Sequence, residues 1–156
     1  MNEGKQFEKN FKASVPPDIY FLRLHDSSIG FDIKNSTQRF ALQSPYDCIL
    51  YKKPIMYCLE LKSTQGSSFS YQGNTPMIKE HQIKNLIYAS EFCKAGFIFN
   101  FRRNENTYYV PIDAFNVFTQ DISKKSLNEK DIATIGILIP SKKLKVNYRY
   151  SLKALF

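Results

Sequence analysis

Ser44-Pro45-Tyr46-Asp47, followed after twelve intervening residues by Glu60-Leu61-Lys62, is the stretch that decides the fold of this chain. Each motif belongs to a short apolar run, and Lys52-Lys53-Pro54 separates the two runs. Two apolar runs divided in this way predict a β-hairpin. The hairpin places Asp47 near the start of one strand and Glu60 near the end of its partner.

The charged residues of this hairpin suit phosphodiester hydrolysis. The carboxylates of Asp47 and Glu60 can meet across the ladder, and Lys62 projects from the same face as Glu60. Two carboxylates can hold Mg²⁺, which activates a bound water, and a nearby ammonium can neutralise developing charge. A surface salt bridge is the alternative for an E-x-K triplet. Here, however, the triplet ends an apolar strand, where unpartnered charge is costly.

The rest of the chain predicts a single α/β domain, residues 1–156, with a mixed sheet. We expect strands near 19–25, 95–101, 107–112 and 146–150 and a first helix over about 5–13. A second helix is predicted from Thr75-Pro76 to about Phe92, and two short helices are predicted to begin at Asp113 and at the capping box Ser126–Glu129. Residues 63–74 are expected to form a loop, and 26–43 form a polar insertion to which the sequence assigns no structure.

Composition excludes several classes of protein. With 43% hydrophobic residues, including 13 Phe and 10 Tyr, the chain has the material for a core. No apolar run approaches the roughly 20 residues of a membrane helix, and residues 1–5 lack a secretory signal. Three cysteines without a CxxC pair argue against a zinc site. The sequence therefore predicts a soluble, intracellular protein without a membrane partner.

The net charge of +8 is concentrated in a basic C-terminal segment, residues 122–156. This segment holds eight basic and two acidic side chains, a net charge of +6. Such a segment suits a polyanion, and its tyrosines Tyr148 and Tyr150 could stack on bases. The alternative is a solvated edge strand guarded by lysines. The candidate DNA contacts here are Lys142, Lys143, Lys145 and Arg149.

Several motifs, in order, resemble the RecU-type Holliday junction resolvases of the PD-(D/E)xK nuclease superfamily. The resemblance covers most of residues 4–150, is weakest over 26–43, and includes phage-encoded relatives of similar size. Besides Asp47 and Glu60-Leu61-Lys62, the motifs are Gly4–Lys9 (G-x-x-F-E-K), His81-Gln82-Ile83 with Leu86, and Lys130-Asp131-Ile132 with Gly136.

The resemblance implies a restriction-endonuclease-like fold, with a central mixed sheet flanked by helices. It also implies a homodimer in the bacterial cytoplasm that cuts two strands of a four-way DNA junction with Mg²⁺, or Mn²⁺ in its place. Asp47 and Glu60 would bind the metal, and Lys62 would serve the attacking water. Glu8 would complete the acidic cluster directly or through water, and Gln82 would support the site from the facing helix. The alternatives are a solvated acid at Glu8 and a solvent-facing amide at Gln82.

The sequence also departs from the family pattern. Tyr46 and Cys48 flank Asp47, where the family has Thr and Tyr. The insertion 26–43 corresponds to the family's basic stalk, but Lys34 and Arg39 are its only basic residues and thus its candidate DNA contacts. Two further hypotheses therefore stand beside the resolvase: a restriction or repair nuclease of the same fold, and a DNA-binding protein of that fold that does not cleave. The apolar residues of the insertion, Phe31, Ile33 and Phe40, are candidates for a dimer contact.

Overall fold

A computed structural model describes residues 3–33 and 36–156, and it describes side chains outside 27–42. The helices are α1 Glu3–Lys12, α2 Glu80–Ser90, α3 Ile112–Asp121 and α4 Glu129–Ile135, with a 3₁₀ turn at Leu152–Ala154. The strands are β1 Tyr20–Arg23, β2 Ser27–Ile33, β3 Ser36–Leu42, β4 Cys48–Lys52, β5 Ile55–Thr64, β6 Ser68–Ser70, β7 Lys94–Phe101, β8 Asn106–Pro111, β9 Ser126–Asn128, β10 Ile137–Leu138, β11 Ser141–Lys143 and β12 Tyr148–Tyr150.

A six-stranded mixed sheet in the order β1-β4-β5-β7-β8-β10 forms the centre of the fold. The predicted hairpin is confirmed: β4 and β5 are antiparallel, with Cys48 opposite Leu59. β5 and β7 are parallel and joined through α2, whereas the other neighbouring strands in this sheet are antiparallel. The predicted α/β class with a central mixed sheet flanked by helices is therefore confirmed.

Helices cover both faces of the sheet because β5 is apolar on both sides. Leu59 and Leu61 are buried in one core cluster with Phe7 and Phe11 of α1. Cys58 is buried in the other cluster, with the apolar faces of α2, α3 and α4. Alternation along the strand therefore turns residue 60, between these leucines, towards α2.

Three short hairpins or strand pairs surround the sheet. β2 and β3 are antiparallel, with Ser27 opposite Leu42 at one end and Ile33 opposite Ser36 at the other. Most of the insertion is therefore an antiparallel hairpin. At its base, the Ser44 N–H donates to Asp26 Oδ1 over 2.7 Å. β6 pairs with β9, and β11 pairs with β12. The side chains of residues 27–42 lie outside the described part of the chain. They include the predicted DNA contacts Lys34 and Arg39 and the candidate dimer contacts Phe31, Ile33 and Phe40.

The predicted start of α2 at Thr75-Pro76 is wrong, because the helix begins at Glu80. Ser70 holds the preceding segment in a bent, non-helical conformation: its carbonyl accepts from the Ile78 N–H, and its hydroxyl accepts from the Met77 N–H. The predicted loop 63–74 is also partly wrong, since β5 continues to Thr64 and β6 lies within it. The second error arises from strand pairing with distant parts of the chain, whereas the first arises from bonds to Ser70 within the preceding loop.

The capping box predicted at Ser126–Glu129 is displaced by two residues. Ser126 pairs with Ser70 in the β6–β9 ladder, and α4 is capped by Asn128, whose side chain accepts from the Asp131 N–H. The Asp131 carboxylate in turn accepts from the Asn128 N–H. Similarly, Asp113 lies in the first turn of α3, and Pro111 occupies the position before the helix.

The basic segment 122–156 is an integral part of the domain, contributing strands to two of the small sheets and one to the central sheet. Leu127, Ile132, Ile139 and Leu152 of this segment are buried in the core. Among the described residues, no helix is both long and apolar enough to span a membrane.

Candidate active site

Asp47 lies at the point where the β4–β5 ladder opens. Its N–H donates to the Leu59 carbonyl over 3.0 Å, and its Oδ2 accepts from the Leu61 N–H over 2.7 Å. The carboxylate thus accepts the bond that the next backbone carbonyl of the ladder would accept. This bond fixes the carboxylate next to residue 60 of β5. The expected meeting of Asp47 and Glu60 across the hairpin is therefore present, although β5 continues for four residues beyond Glu60.

Glu60 is a buried carboxylate, only 5% exposed, and two side chains contact it. Lys62 Nζ lies 3.2 Å from its Oε1, and Gln82 Nε2 donates to the same oxygen over 2.5 Å. Burial, followed by the negative charge of Asp47, raises the pKa of Glu60 to about 7, and the Lys62 ammonium opposes this shift. Glu60 therefore shares a poorly solvated space with a second carboxylate and a cation.

Gln82 connects this site to the start of α2. Its Oε1 accepts from the N–H of Lys79, the residue before the helix, over 3.0 Å. Its Nε2 donates to Glu60, so both ends of the amide are used. The expectation that Gln82 faces the site is met, and its alternative as a solvent-facing amide does not hold.

Arg23, which the sequence did not single out, joins Glu8 to Asp47. Its Nη1 donates to the Asp47 carbonyl over 2.6 Å and to Asp47 Oδ1 over 3.0 Å. Its Nη2 donates to Glu8 Oε2 over 2.8 Å. Burial lowers the pKa of Arg23, but Asp47 and Glu8 raise it by more, so the net pKa is higher than usual. Glu8 thus reaches Asp47 through a guanidinium rather than lying free on α1.

A polar cleft of about 170 Å³ opens over these residues. His25, Lys79 and His81 line it together with Asp47 and Glu60. Ser44 and Asp26, at the base of the β2–β3 hairpin, also border the cleft. The insertion is therefore attached beside the site, where a bound polymer would meet it.

The donor set fits Mg²⁺ better than a metal that needs a closed protein cage. Within the described part of the chain, no three His, Cys, Asp or Glu side chains group together as metal ligands. Mg²⁺ is commonly held by one or two carboxylates, with waters and substrate phosphates completing its shell. The repulsion that raises the pKa of Glu60 is what a cation between Asp47 and Glu60 would relieve.

The candidate DNA contacts of the basic segment lie on the β11–β12 hairpin and its turn and are exposed: Lys142, Lys143, Lys145 and Arg149. Lys143 forms an ion pair with Glu105 in the β7–β8 turn. The same turn contacts the end of β5, where the Arg102 N–H donates to the Thr64 carbonyl over 3.0 Å. The basic hairpin therefore lies near the C-terminal end of β5, the strand that carries Glu60 and Lys62.

One part of the stacking prediction is wrong. Tyr150 is 6% exposed and packs against the Phe7 ring, with ring centroids 5.6 Å apart. It therefore belongs to the core beneath α1. Tyr148, two residues earlier on β12, is only partly buried, so part of its ring remains accessible. Alternation in a short strand could not distinguish this buried tyrosine from an exposed one.

Comparison with known proteins identifies relatives of the whole domain. The family model "Recombination protein U" matches residues 12–154. The SPbeta prophage-derived uncharacterized protein YotM of Bacillus subtilis is 32% identical over 170 aligned positions, covering 99% of this chain and 85% of that protein. The Archaeoglobus fulgidus structure of Hjc, described as a Holliday junction resolvase, is similar with a TM-score of 0.51 at 12% identity, covering 87% of this chain and 92% of that one.

The structural similarity supports the fold alone, and the sequence matches supply the family. Both matches include the β4–β5 hairpin with Asp47, Glu60 and Lys62 and the helix that carries Gln82. The chain therefore belongs to the RecU family.

Proposed function

We propose that this protein is a metal-dependent endonuclease that cuts four-way DNA junctions. The observation that carries the proposal is the meeting of Asp47 and Glu60 in one cleft, with Lys62 Nζ 3.2 Å from Glu60 and Gln82 holding Glu60. A buried carboxylate, Glu60, beside a partly buried one, Asp47, costs folding free energy. A site of this kind, in a family named for recombination, favours hydrolysis of DNA over binding alone.

Asp47 and Glu60 would hold Mg²⁺, and Mn²⁺ could replace it. When bound, the ion polarises the scissile phosphate and favours ionisation of a water. Glu8 would take part through Arg23. The Arg23 guanidinium donates to the carboxylates of both Glu8 and Asp47 and so keeps Asp47 in place. Gln82 fixes the orientation of Glu60 from α2.

Lys62 would act on the reacting groups themselves. Its ammonium is 3.2 Å from Glu60 and only partly exposed, so its charge is weakly screened. In this position it can hold the attacking water by a hydrogen bond and stabilise negative charge that develops on the phosphate. The basic hairpin β11–β12 would hold the DNA backbone at the same end of the sheet.

Cutting a junction symmetrically requires two active sites, so we propose a homodimer. Each chain carries one Asp47–Glu60–Lys62 set, and an isologous pair of chains places two sets about a two-fold axis. Tyr88 and Phe92, at the end of α2, are 67% and 70% exposed, the most exposed aromatic residues described. Such a patch is suited to contact with a second copy.

The test compares a synthetic four-way junction with linear duplexes of the same sequences, with and without Mg²⁺. We expect paired cuts in the junction, and only with the metal. Equal cleavage of the linear duplexes would favour a restriction or repair nuclease of the same fold. Junction binding without cleavage under any divalent metal would favour a DNA-binding protein that does not cleave.

A further inference from the structure

A second cavity, of about 430 Å³, opens between α1, the β7–β8 turn and the β11–β12 hairpin. Gln65 lines it and follows Lys62 by three residues along the chain leaving β5. At about 3.3 Å per residue, Gln65 is about 10 Å from Lys62 along the backbone, and the cavity lies on the α1 face of the sheet, opposite the face from which Glu60 and Lys62 project. Its size is in the range of small-molecule sites, roughly 300–1,000 Å³.

The charges around this cavity are paired with each other. Arg102 forms an ion pair with Glu3, and Lys143 forms one with Glu105. Two cations and two anions therefore border the same space. A phosphate group would find no net positive charge there, so the cavity favours an uncharged polar ligand.

Polar groups without a protein partner line the cavity. Asn10 is 5% exposed, and its Oδ1 accepts from Gln6 Nε2 over 3.2 Å. Among the described residues, no hydrogen bond uses the Asn10 Nδ2 donor or the Gln6 Oε1 acceptor. Within the part of the chain that the structure describes, Arg102 Nε is a buried donor without a partner. The Asn10 donor and the Gln6 acceptor are not fully buried, so they can meet an acceptor and a donor of a ligand or water in the cavity.

The remaining walls are aromatic and apolar. The partly accessible ring of Tyr148 lines the cavity and is available for stacking, and the largely buried rings of Phe7 and Tyr150 lie in the same wall. Val146, at the turn between β11 and β12, also lines it and is 81% exposed. A ligand that fits these walls has a flat apolar face and an edge of hydrogen-bonding groups.

We propose that the cavity binds one unpaired nucleobase of the bound DNA. A nucleobase is neutral and flat, it stacks on aromatic rings, and its edge pairs with carboxamides such as those of Gln6 and Asn10. The proposal rests on the proposed function, since the base belongs to the DNA held at the active site. Because the cavity lies on the other face of the sheet, a backbone distance of about 10 Å from Lys62 to Gln65 places the bound base at least roughly three nucleotides, at about 3.4 Å each, from the cut.

The test removes the base and narrows the cavity in turn. Abasic sites are placed one at a time within five nucleotides of the junction centre, and affinity is measured for the full chain carrying Glu60→Gln to prevent cleavage. At one position, loss of the base should weaken binding by roughly 5- to 100-fold. Adding Val146→Trp should abolish that sensitivity, whereas Val117→Trp, at an exposed valine of α3, should leave it unchanged.

A second variant tests the cavity without adding bulk. Asn10→Asp keeps the acceptor for Gln6 Nε2 but replaces the unpartnered donor with an acceptor, so it should reduce the cost of the abasic site. If every abasic junction binds as tightly as the intact one, or Val146→Trp keeps full sensitivity, the base-binding proposal is wrong and the proposed function stands. If the protein binds no DNA of any form, both proposals fail.

Discussion

Glu60 and Gln82 are joined by a 2.5 Å hydrogen bond from the Gln82 amide to Glu60 Oε1, and this bond ties β5 to α2 at the candidate active site. The amide oxygen of Gln82 accepts a hydrogen bond from the Lys79 N–H, so Gln82 also satisfies a donor at the start of α2. One side chain therefore sets both the orientation of the carboxylate and the position of the helix. Its importance can be tested separately from that of the carboxylates.

Gln82→Ala should weaken metal-dependent cleavage without abolishing it. Partners that orient metal ligands typically contribute about 10- to 100-fold in metal affinity or activity. We expect the Mg²⁺ concentration for half-maximal cleavage to rise by that order. Gln120→Ala, at an exposed amide that donates to Asn116 within α3, is the matched control. Equal metal requirements for the two variants would contradict a positioning role for Gln82.

Asp47→Asn and Glu60→Gln should each lower Mg²⁺-dependent cleavage by at least roughly 100-fold. Both substitutions keep the size of the side chain but remove the charge that would hold the metal. Junction binding should persist, because the basic hairpin is unchanged. Asp18→Asn serves as the control, since Asp18 is an exposed acid paired with Lys52 away from the site. Normal turnover by either site variant would remove that residue from the catalytic assignment.

The stability of the metal-free protein should fall as the pH rises from about 4.5 to about 7. The folded-state pKa of Glu60 is raised from 4.5 to about 7, so the folded protein binds the proton more tightly than the unfolded chain. Stability from this group is therefore present below about 4.5 and is lost as the pH rises through 7. The expected loss is about 1–3 kcal/mol.

Urea unfolding in a chelator, at several pH values, measures this effect. Other groups titrate in the same range, so the informative quantity is the difference between the wild type and Glu60→Gln, which has no carboxyl group at this position. A difference that stays constant with pH would show that Glu60 keeps an ordinary pKa.

The sequence predicted the part of the site that depends on one hairpin. Asp47, Glu60 and Lys62 could be placed because strand alternation and one tight turn determine which side chains share a face. Arg23 was missed because its contacts with Glu8 and Asp47 depend on how α1 and β1 pack against β4. A signal was nevertheless present: a cation in a strand-like run is costly unless acids face it.

The sequence failed where contacts of the short strand β6 determine the start of another element. The start of α2 depends on Ser70, and the position of β9 depends on the same short strand, β6. Thr75-Pro76 is a reasonable local signal for a helix start, but hydrogen bonds from Met77 and Ile78 to Ser70 prevail over it. The Lys130–Gly136 motif supported the family but carries a structural role, since Asp131 completes the capping box of α4 with Asn128 and Ile132 is buried.

Neutralising Lys142, Lys143 and Lys145 together should weaken DNA binding and reduce its salt dependence. Removing one phosphate contact lowers the slope of log affinity against log salt by about 0.9 on duplex DNA. We expect a slope reduced by roughly 2–3, measured by titrations at several salt concentrations. The charge-matched control neutralises Lys52, Lys53 and Lys94, which lie at the opposite end of β5 and β7. Equal slopes in the two triple variants would show that the basic hairpin is a solvated edge strand and does not contact the DNA backbone.

Replacing Tyr88 and Phe92 with Glu should convert the proposed dimer into a monomer. The two rings contact each other edge to face, with centroids 5.4 Å apart, yet both remain more than half exposed. They border an apolar cavity that Tyr46, the neighbour of Asp47, also lines, so the patch is continuous with the active site. A contact here would place the two sites close to the shared interface, as paired cleavage of one junction requires.

Sedimentation velocity at micromolar concentration measures the change in oligomeric state. The wild type and a Val117→Glu control, altered at an exposed residue of α3, should sediment as dimers, and the double variant as a monomer. Because a monomer carries one active site, the double variant should also produce single nicks where the wild type makes paired cuts. A double variant that remains dimeric would place the interface elsewhere. A wild type that stays monomeric even on junction DNA would contradict symmetric resolution, because the second active site would then be missing.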